Sequence, residues 1–269
     1  MLTTVIGAFP KPSFLKITDW FNASGGTDTA NPTKYYEEEV NKMGDEAGAD
    51  LIIVSRTLND LNKVKKQINK LKRKCTVFEC DVSNAAEVKS VFKQINSLDI
   101  LVNNAGTNRP DHFTKIKKED MDYVVDLNIK AAFHVAQMAT KVMLNSKNRK
   151  NTGGSIINIS SQLGKVGAPL RSVYNMTKFG IEGLTRGMAL DLANNNIRVN
   201  TICPTFVETP LVKNFFKDKK FKKAMIDNIP LGRLATDSDI ATAVVYLASN
   251  ASSMITGSSL VIDGGWTAK

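Results

Sequence analysis

Three cysteines and two histidines are all the soft metal ligands that 269 residues offer. Cys75, Cys80 and Cys203 form no disulfide framework, and His112 and His134 lack the spacing of a zinc finger or an HExxH helix. The expectation is a reduced setting, structural roles for both histidines and no metal site. No apolar run approaches the roughly 18 residues a membrane span needs, and the first residues lack the basic-then-apolar order of an export signal. A cytoplasmic chain with no membrane partner is expected. Arginine is scarce too: eight of the 36 basic residues, against 28 lysines, in a chain of formal charge +10. Base-specific readers of nucleic acid lean on bidentate arginine, and the accompanying 24 asparagines are what AT-rich coding DNA produces. The basic charge therefore predicts no nucleic-acid partner. With 42% hydrophobic and 23% charged residues, a disordered or collagen-like chain is also excluded.

From about residue 49 onward the pattern is regular. Leu-Ile-Ile-Val at 51–54 is a short apolar run of the kind buried on both faces of a sheet. A basic helix over 58–73 carries Leu58, Leu61, Val64, Ile68 and Leu71 on one stripe. Further strands are predicted at 76–78, 99–103, 155–159, 197–202 and 259–262. Helices are predicted over about 84–96, 119–145, 171–194 and 237–248, the last with a capping box from Thr236 to Asp239. Such alternation of apolar strands with amphipathic helices implies an α/β fold, a doubly wound, three-layer parallel sheet.

Residues 1–46 break this rhythm. Residues 3–6 can form one strand, and residues 35–43 begin like an acidic helix, but the stretch between is rich in Pro, Gly, Asn and aromatics. A nucleotide-binding sheet opens with a strand, a tight glycine turn and a helix. Counting back from Gly48, that turn belongs at 31–37, where the sequence reads Asn-Pro-Thr-Lys-Tyr-Tyr-Glu. No GxxxGxG is there.

Several motifs downstream agree in order and spacing: Asn103-Asn104-Ala105-Gly106, Asn128, Ser160-Ser161, Tyr174-x-x-x-Lys178, Ile197-Arg198-Val199-Asn200, Ile255-Thr256-Gly257 and Asp263-Gly264-Gly265. Over about residues 47–269 they resemble the short-chain dehydrogenase/reductase family. That resemblance implies a Rossmann-like fold whose first strand and glycine loop are replaced here by an atypical N-terminal segment, 1–46. The segment itself resembles the opening of a cobalamin-independent methionine synthase-like protein, through residues 3–12, 19–21, 31–34 and 43–46. None of that zinc-dependent family's metal cluster can be placed in this chain, so methyl transfer is not implied. The whole reads as a fusion joined near Glu46, whether a natural recombinant or an assembly error.

Tyr174 and Lys178 stand four apart on a helix, so both project from one face. An ammonium beside a phenol favours the phenolate, which suits Tyr174 to acid–base work on a carbonyl or alcohol. Ser161, just after a strand, would orient the substrate, and by resemblance Asn128 holds a water linking Lys178 to solvent. The resemblance places Asp81 and Val82 at the adenine, and Asn103, Ala105 and Gly106 beside the ribose. It places Pro204, Val207 and Thr209 on the nicotinamide side, with Thr205 where most members have glycine. Ser55 followed by Arg56, with no acid there, leaves room and charge for a 2′-phosphate and favours NADP over NAD. The implied function is an NAD(P)-dependent oxidoreductase acting on a sugar acid or a 3-oxoacyl substrate. The alternative is an inactive fusion product with a defective cofactor site. Six lysines between 211 and 224 fall where the family has its substrate lid and suit an anionic small molecule or a solvated helix. By resemblance, the long helices near 119–145 and 171–194 form the main subunit contact, which implies a homo-oligomer, a tetramer or a dimer.

Overall fold

The computed structural model describes the backbone of Thr4–Ala8 together with residues 49–145, 149–208, 216 and 219–268. Seven strands form one sheet: β1 Thr4–Ala8, β2 Asp50–Ser55, β3 Cys75–Glu79, β4 Ile100–Asn103, β5 Gly154–Ile159, β6 Ile197–Pro204 and β7 Ser259–Ile262. Their order is β3-β2-β1-β4-β5-β6-β7. Helices α1 Leu58–Lys70, α2 Ala85–Phe92, α3 Lys118–Val125, α4 Ala132–Leu144, α5 Ser172–Leu192, α6 Lys219–Asp227 and α7 Asp237–Ala248 complete the fold. This is the three-layer, doubly wound α/β architecture expected. The predicted acidic helix at 35–43 lies outside the described residues.

Alternation along the buried strands sends successive side chains to opposite faces. Val54, Leu101, Ile156 and Val199 face α2, α4 and α5, where Val91, Phe92, Val135, Ala139, Met143 and Ala189 close the core. On the other face Ile100, Val102, Ile157 and Ile202 pack on Ala243 and Leu247 of α7. Ile53 packs separately, on Leu61 of α1 and Cys75. Among the described residues these last two clusters do not join, and β1 lies between their strands. The capping box of α7 forms as expected, with the Thr236 hydroxyl accepting from the Asp239 amide and the Asp239 carboxylate accepting from the Thr236 amide.

Two expectations need correction. An N-terminal strand does fill the slot between β2 and β4, but it runs against them. Thr4 pairs with Val54 and Ala8 with Asp50, while Val5 pairs with Val102 and Gly7 with Ile100. The other neighbours in the sheet are all parallel. An empty slot would orphan two ladders of backbone groups, and a strand of either direction satisfies them. The helix expected over 119–145 is also not continuous. A π segment, Asp126–Ala131, separates α3 from α4, and its widened turn coincides with Asn128.

Candidate active site

The carboxyl ends of β4, β5 and β6 meet the first half of α5, and the groups singled out from the sequence gather there. Lys178 is buried, and its ammonium donates to the Ile159 carbonyl at the end of β5 at 2.8 Å. It also stands 5.5 Å from the centre of the Tyr174 ring. A methyl group placed on Gly106 would lie 3.7 Å from the Lys178 ammonium and 3.4 Å from the Asn128 amide oxygen. The turn after β4 thus lies beside both groups, close enough for a side chain at 106 to reach ordinary contact with them.

Asn128 is held from both sides. Its Oδ1 accepts from the Thr107 amide at 2.8 Å, and its Nδ2 donates to the Thr107 carbonyl at 2.9 Å and to the Thr177 hydroxyl at 3.0 Å. Thr177 in turn donates to the Tyr174 carbonyl at 2.8 Å. The π segment is therefore tied both to the turn after β4 and to the backbone of Tyr174. Ser161 lies two residues beyond β5 and its Oγ accepts from the Leu163 amide at 3.1 Å, which leaves the hydroxyl proton free to donate outward.

The remaining site residues are placed less uniformly. Ser55 is buried at the end of β2, its Oγ accepting from the Thr57 amide at 3.3 Å, and Arg56 beside it is exposed. Burial opposes the charge on Asp81, but bonds from Ser83 and the attraction of Arg56 outweigh it and hold this carboxyl below its usual range. Arg56, Asp81 and the buried Val82 thus share the ends of neighbouring strands β2 and β3. Asn103 turns its amide inward, to the Ala132 carbonyl at 2.8 Å and Asn158 at 3.2 Å. Its contribution to the edge is therefore the backbone leading to Ala105 and Gly106. Pro204 closes β6, and the following segment is pinned by a bridge from Val207 to Ala235. Thr205 donates its amide to the Ile262 carbonyl at 3.0 Å, and its φ is not in the left-handed region, so the β-branched residue is accommodated where glycine was expected. Its buried Oγ1 has no partner. Thr209, Lys213 and Lys217 lie outside the described residues, whereas Lys219, Lys220, Lys222 and Lys223 line exposed positions of α6. Among the described residues no group of three His, Cys, Asp or Glu could hold a metal ion, and no helix is long and apolar enough to cross a membrane.

One cluster beside the site was not anticipated. Glu182, a further four residues along α5 from Lys178, is 4% exposed. Its carboxylate accepts from the Lys165 ammonium at 2.6 Å, the Ser259 hydroxyl at 2.5 Å and the Cys203 thiol at 3.3 Å. Burial pushes its pKa up, but the bonds from Lys165, Ser259, Ser160 and Cys203 prevail and bring it to about 2. Burial and the nearby carboxylate push the Cys203 thiol up to about 11. The available signal was the spacing: Tyr174, Lys178 and Glu182 recur every four residues, a helical stripe that otherwise faces the core.

Comparison with known proteins agrees with this geometry. The family model described as "Enoyl-(Acyl carrier protein) reductase" matches residues 39–267. A 3-oxoacyl-[acyl-carrier-protein] reductase of Thermotoga maritima is 34% identical over 222 residues, covering 81% of this chain and 87% of that protein. L-xylulose reductase of Mus musculus is also 34% identical over 222 residues, covering 82% and 88%. Among solved structures, a putative 2-deoxy-d-gluconate 3-dehydrogenase from Agrobacterium tumefaciens with bound NADP superposes with a TM-score of 0.75. It is 32% identical, over 81% of this chain and 86% of that one.

Proposed function

Since the chain belongs to the short-chain dehydrogenase/reductase family, we propose that its site moves a hydride and a proton between a nicotinamide cofactor and a carbonyl or secondary alcohol, with Tyr174 as the acid–base group. The observation that carries this reading is the placing of Lys178 against Ile159, Gly106 and the Tyr174 ring at the end of the parallel strands. The nicotinamide, when bound, supplies or receives the hydride. Tyr174 gives a proton to the substrate oxygen in reduction and takes it back in oxidation. The Ser161 hydroxyl donates to the same oxygen and fixes its place, while the Lys178 ammonium stands beside the Tyr174 ring. Asn128 keeps the turn of Thr107 and the backbone of Tyr174 in register, and in the family's manner a water at Asn128 would connect Lys178 to solvent.

The residues present fit the two ends of a dinucleotide. Lys178 uses one of its three N–H bonds on Ile159, leaving donors for ribose hydroxyls, and the orphaned Thr205 hydroxyl lies on the nicotinamide-side segment with Pro204 and Val207. Ser55 and Arg56 with Asp81 and Val82 form the adenosine end, where Arg56 favours NADP over NAD. NADP bound to the Agrobacterium structure supports this preference. The middle fits poorly. Because β1 is reversed, its carboxyl end, Ala8, lies beside Asp50 at the start of β2, on the edge opposite the site. β1 itself therefore presents its amino end, not its carboxyl end, to the edge where a pyrophosphate would lie. This direction favours a second reading, an oxidoreductase scaffold with a weakened cofactor site.

A small anionic substrate, a sugar acid or a 3-oxoacyl group, is supported by the two classes of relative and by the exposed lysines of α6. Exposed Phe133, Met176, Phe179 and Leu190 on α4 and α5 support a homo-oligomer, a dimer or tetramer. The absence of a spanning helix among the described residues is consistent with the cytoplasmic location proposed. Residues 1–46 form a segment foreign to the family, resembling the start of a methionine synthase-like protein. A segment outside the family alignment is supported by relatives that align to 81–82% of the chain, with the family match reaching back to residue 39; its likeness to a methionine synthase-like opening rests on the sequence alone. The test is cofactor oxidation followed by absorbance with a keto sugar acid and with a 3-oxoacyl thioester. Turnover of either that disappears in Tyr174→Phe supports the reading, and equal turnover in that variant removes Tyr174 from the chemistry.

A further inference from the structure

We propose that the Lys165–Glu182 pair is a positioning device, which sets the place of Lys178 and through it the environment of Tyr174. The inference rests on the assignment of Tyr174 and Lys178 made above. Five parts of the fold converge on the Glu182 carboxylate. Lys165 comes from just beyond the short helix that follows Ser161, Ser160 from the end of β5, Cys203 from β6, Ser259 from β7 and Glu182 itself from α5. Lys165 also donates to the Ser259 hydroxyl at 2.6 Å, so the ammonium and the carboxylate share one strand as well as each other.

The cluster is continuous with the site. Ser160 donates to the Lys178 carbonyl at 3.5 Å and helps hold the Glu182 charge. Gly164, three residues after Ser161, packs so closely here that a methyl group on it would meet the Ser160 hydroxyl at 2.8 Å, the Lys178 carbonyl at 3.1 Å and the Glu182 side chain at 3.2 Å. The loop that carries Ser161 and the helix that carries Tyr174 and Lys178 therefore meet at Glu182. Proton transfer needs the two sides of the site fixed to within a fraction of an ångström, and a charge-assisted bond between them does that directionally. Apolar packing of the same volume would serve stability as well or better, so stability alone does not account for a buried ion pair.

The ionisable groups in contact with Glu182 are Lys165 and Cys203, and Lys178 and Arg186 lie one turn to either side on its own helix. Removing the Lys165 charge leaves a buried carboxylate without its counter-ion and frees the Ser161 loop from α5, which shifts Lys178 relative to the Tyr174 ring and opposes a phenolate there. The readout is the rise of phenolate absorbance at alkaline pH, taken as the difference between each protein and its Tyr174→Phe counterpart. It needs neither cofactor nor turnover, so it separates failure of this inference from failure of the catalytic assignment. Lys165→Met is expected to move that rise to higher pH by about half a unit or more. Lys165→Arg, which keeps the charge and the donors, is expected to restore it. Ser259→Ala removes one donor from the carboxylate, is the milder change, and is expected to move the rise the same way by less. A purely structural pair would lower the unfolding midpoint in these variants without moving the rise. If folded Lys165→Met, or folded Ser259→Ala where the former does not fold, shows the wild-type position, the proposal is overturned.

Discussion

Tyr174 lies partly exposed on α5 with no bond to its hydroxyl among the described residues, while every polar group on Asn128 is committed. The two should therefore respond to substitution in opposite ways. Tyr174→Phe removes the acid–base group and is expected to cut turnover by roughly 10²–10⁴-fold, with an unfolding midpoint close to that of the wild type. Asn128→Ala leaves the Thr107 amide and carbonyl without their side-chain partner, takes one donor from the Thr177 hydroxyl, and is expected to cost about 1–3 kcal/mol in denaturant unfolding. Turnover should fall with it because Thr177 holds the Tyr174 backbone. Glu182 adds a pH dependence. Its carboxyl is depressed from 4.5 to about 2 in the folded chain. A depressed acid contributes stability that is full above the unfolded value of 4.5 and is lost as pH falls towards about 2. At roughly 1.4 kcal/mol per pKa unit the contribution is on the order of 3 kcal/mol. Denaturant midpoints compared from about pH 5 to about pH 2 should fall more steeply in the wild type than in Glu182→Gln. Parallel slopes would show that this carboxyl is not held down.

At the scale of elements, α7 is the simplest case. Its capping box ties Thr236 and Asp239 reciprocally, so Thr236→Ala should cost about 1 kcal/mol, measured by chemical unfolding, without changing turnover. That box, the bounds of α7 and β7, and the alternation of strands with helices were all legible, because local chemistry and burial periodicity agree there. The π segment at Asp126–Ala131 was not. Its residues read as a continuous helix, and the bonds that coincide with the widened turn come from Thr107 and Thr177, one 21 and the other 49 residues away. Glu182 was missed for a related reason. A lone Glu on a helix reads as solvated, and its partners Lys165, Cys203 and Ser259 converge only once β5, β6 and β7 are laid side by side. Tyr174, Lys178 and Ser161 were legible because their spacing survives as a motif. The place of β1 was legible, through the cost of an empty slot. Its direction was not, since a short strand satisfies both neighbouring backbone ladders whichever way it runs.

That direction governs the whole molecule. Parallel strands present all their carboxyl ends on one edge, and the site is built there from β2, β3, β4, β5 and β6. The strand at the centre points the other way, and no GxxxGxG occurs in residues 1–48. The two ends of a dinucleotide site, Arg56 with Asp81 and Lys178 with Gly106, lie on either side of β1, and among the described residues no phosphate cradle stands between them. Bare amides at a helix start hold a pyrophosphate through charge-assisted bonds of roughly 1.5–3 kcal/mol each. Losing two or three of them turns a micromolar cofactor into one that binds at about millimolar concentration or not at all. Calorimetric titration of the 269-residue chain is expected to show feeble binding, with NADPH stronger than NADH because Arg56 remains. A version whose first 46 residues are replaced by a parallel first strand, glycine loop and helix is expected to recover micromolar binding. Micromolar NADPH binding by the unaltered chain would mean that its own N-terminal residues supply the cradle, and the weakened-site reading would fall.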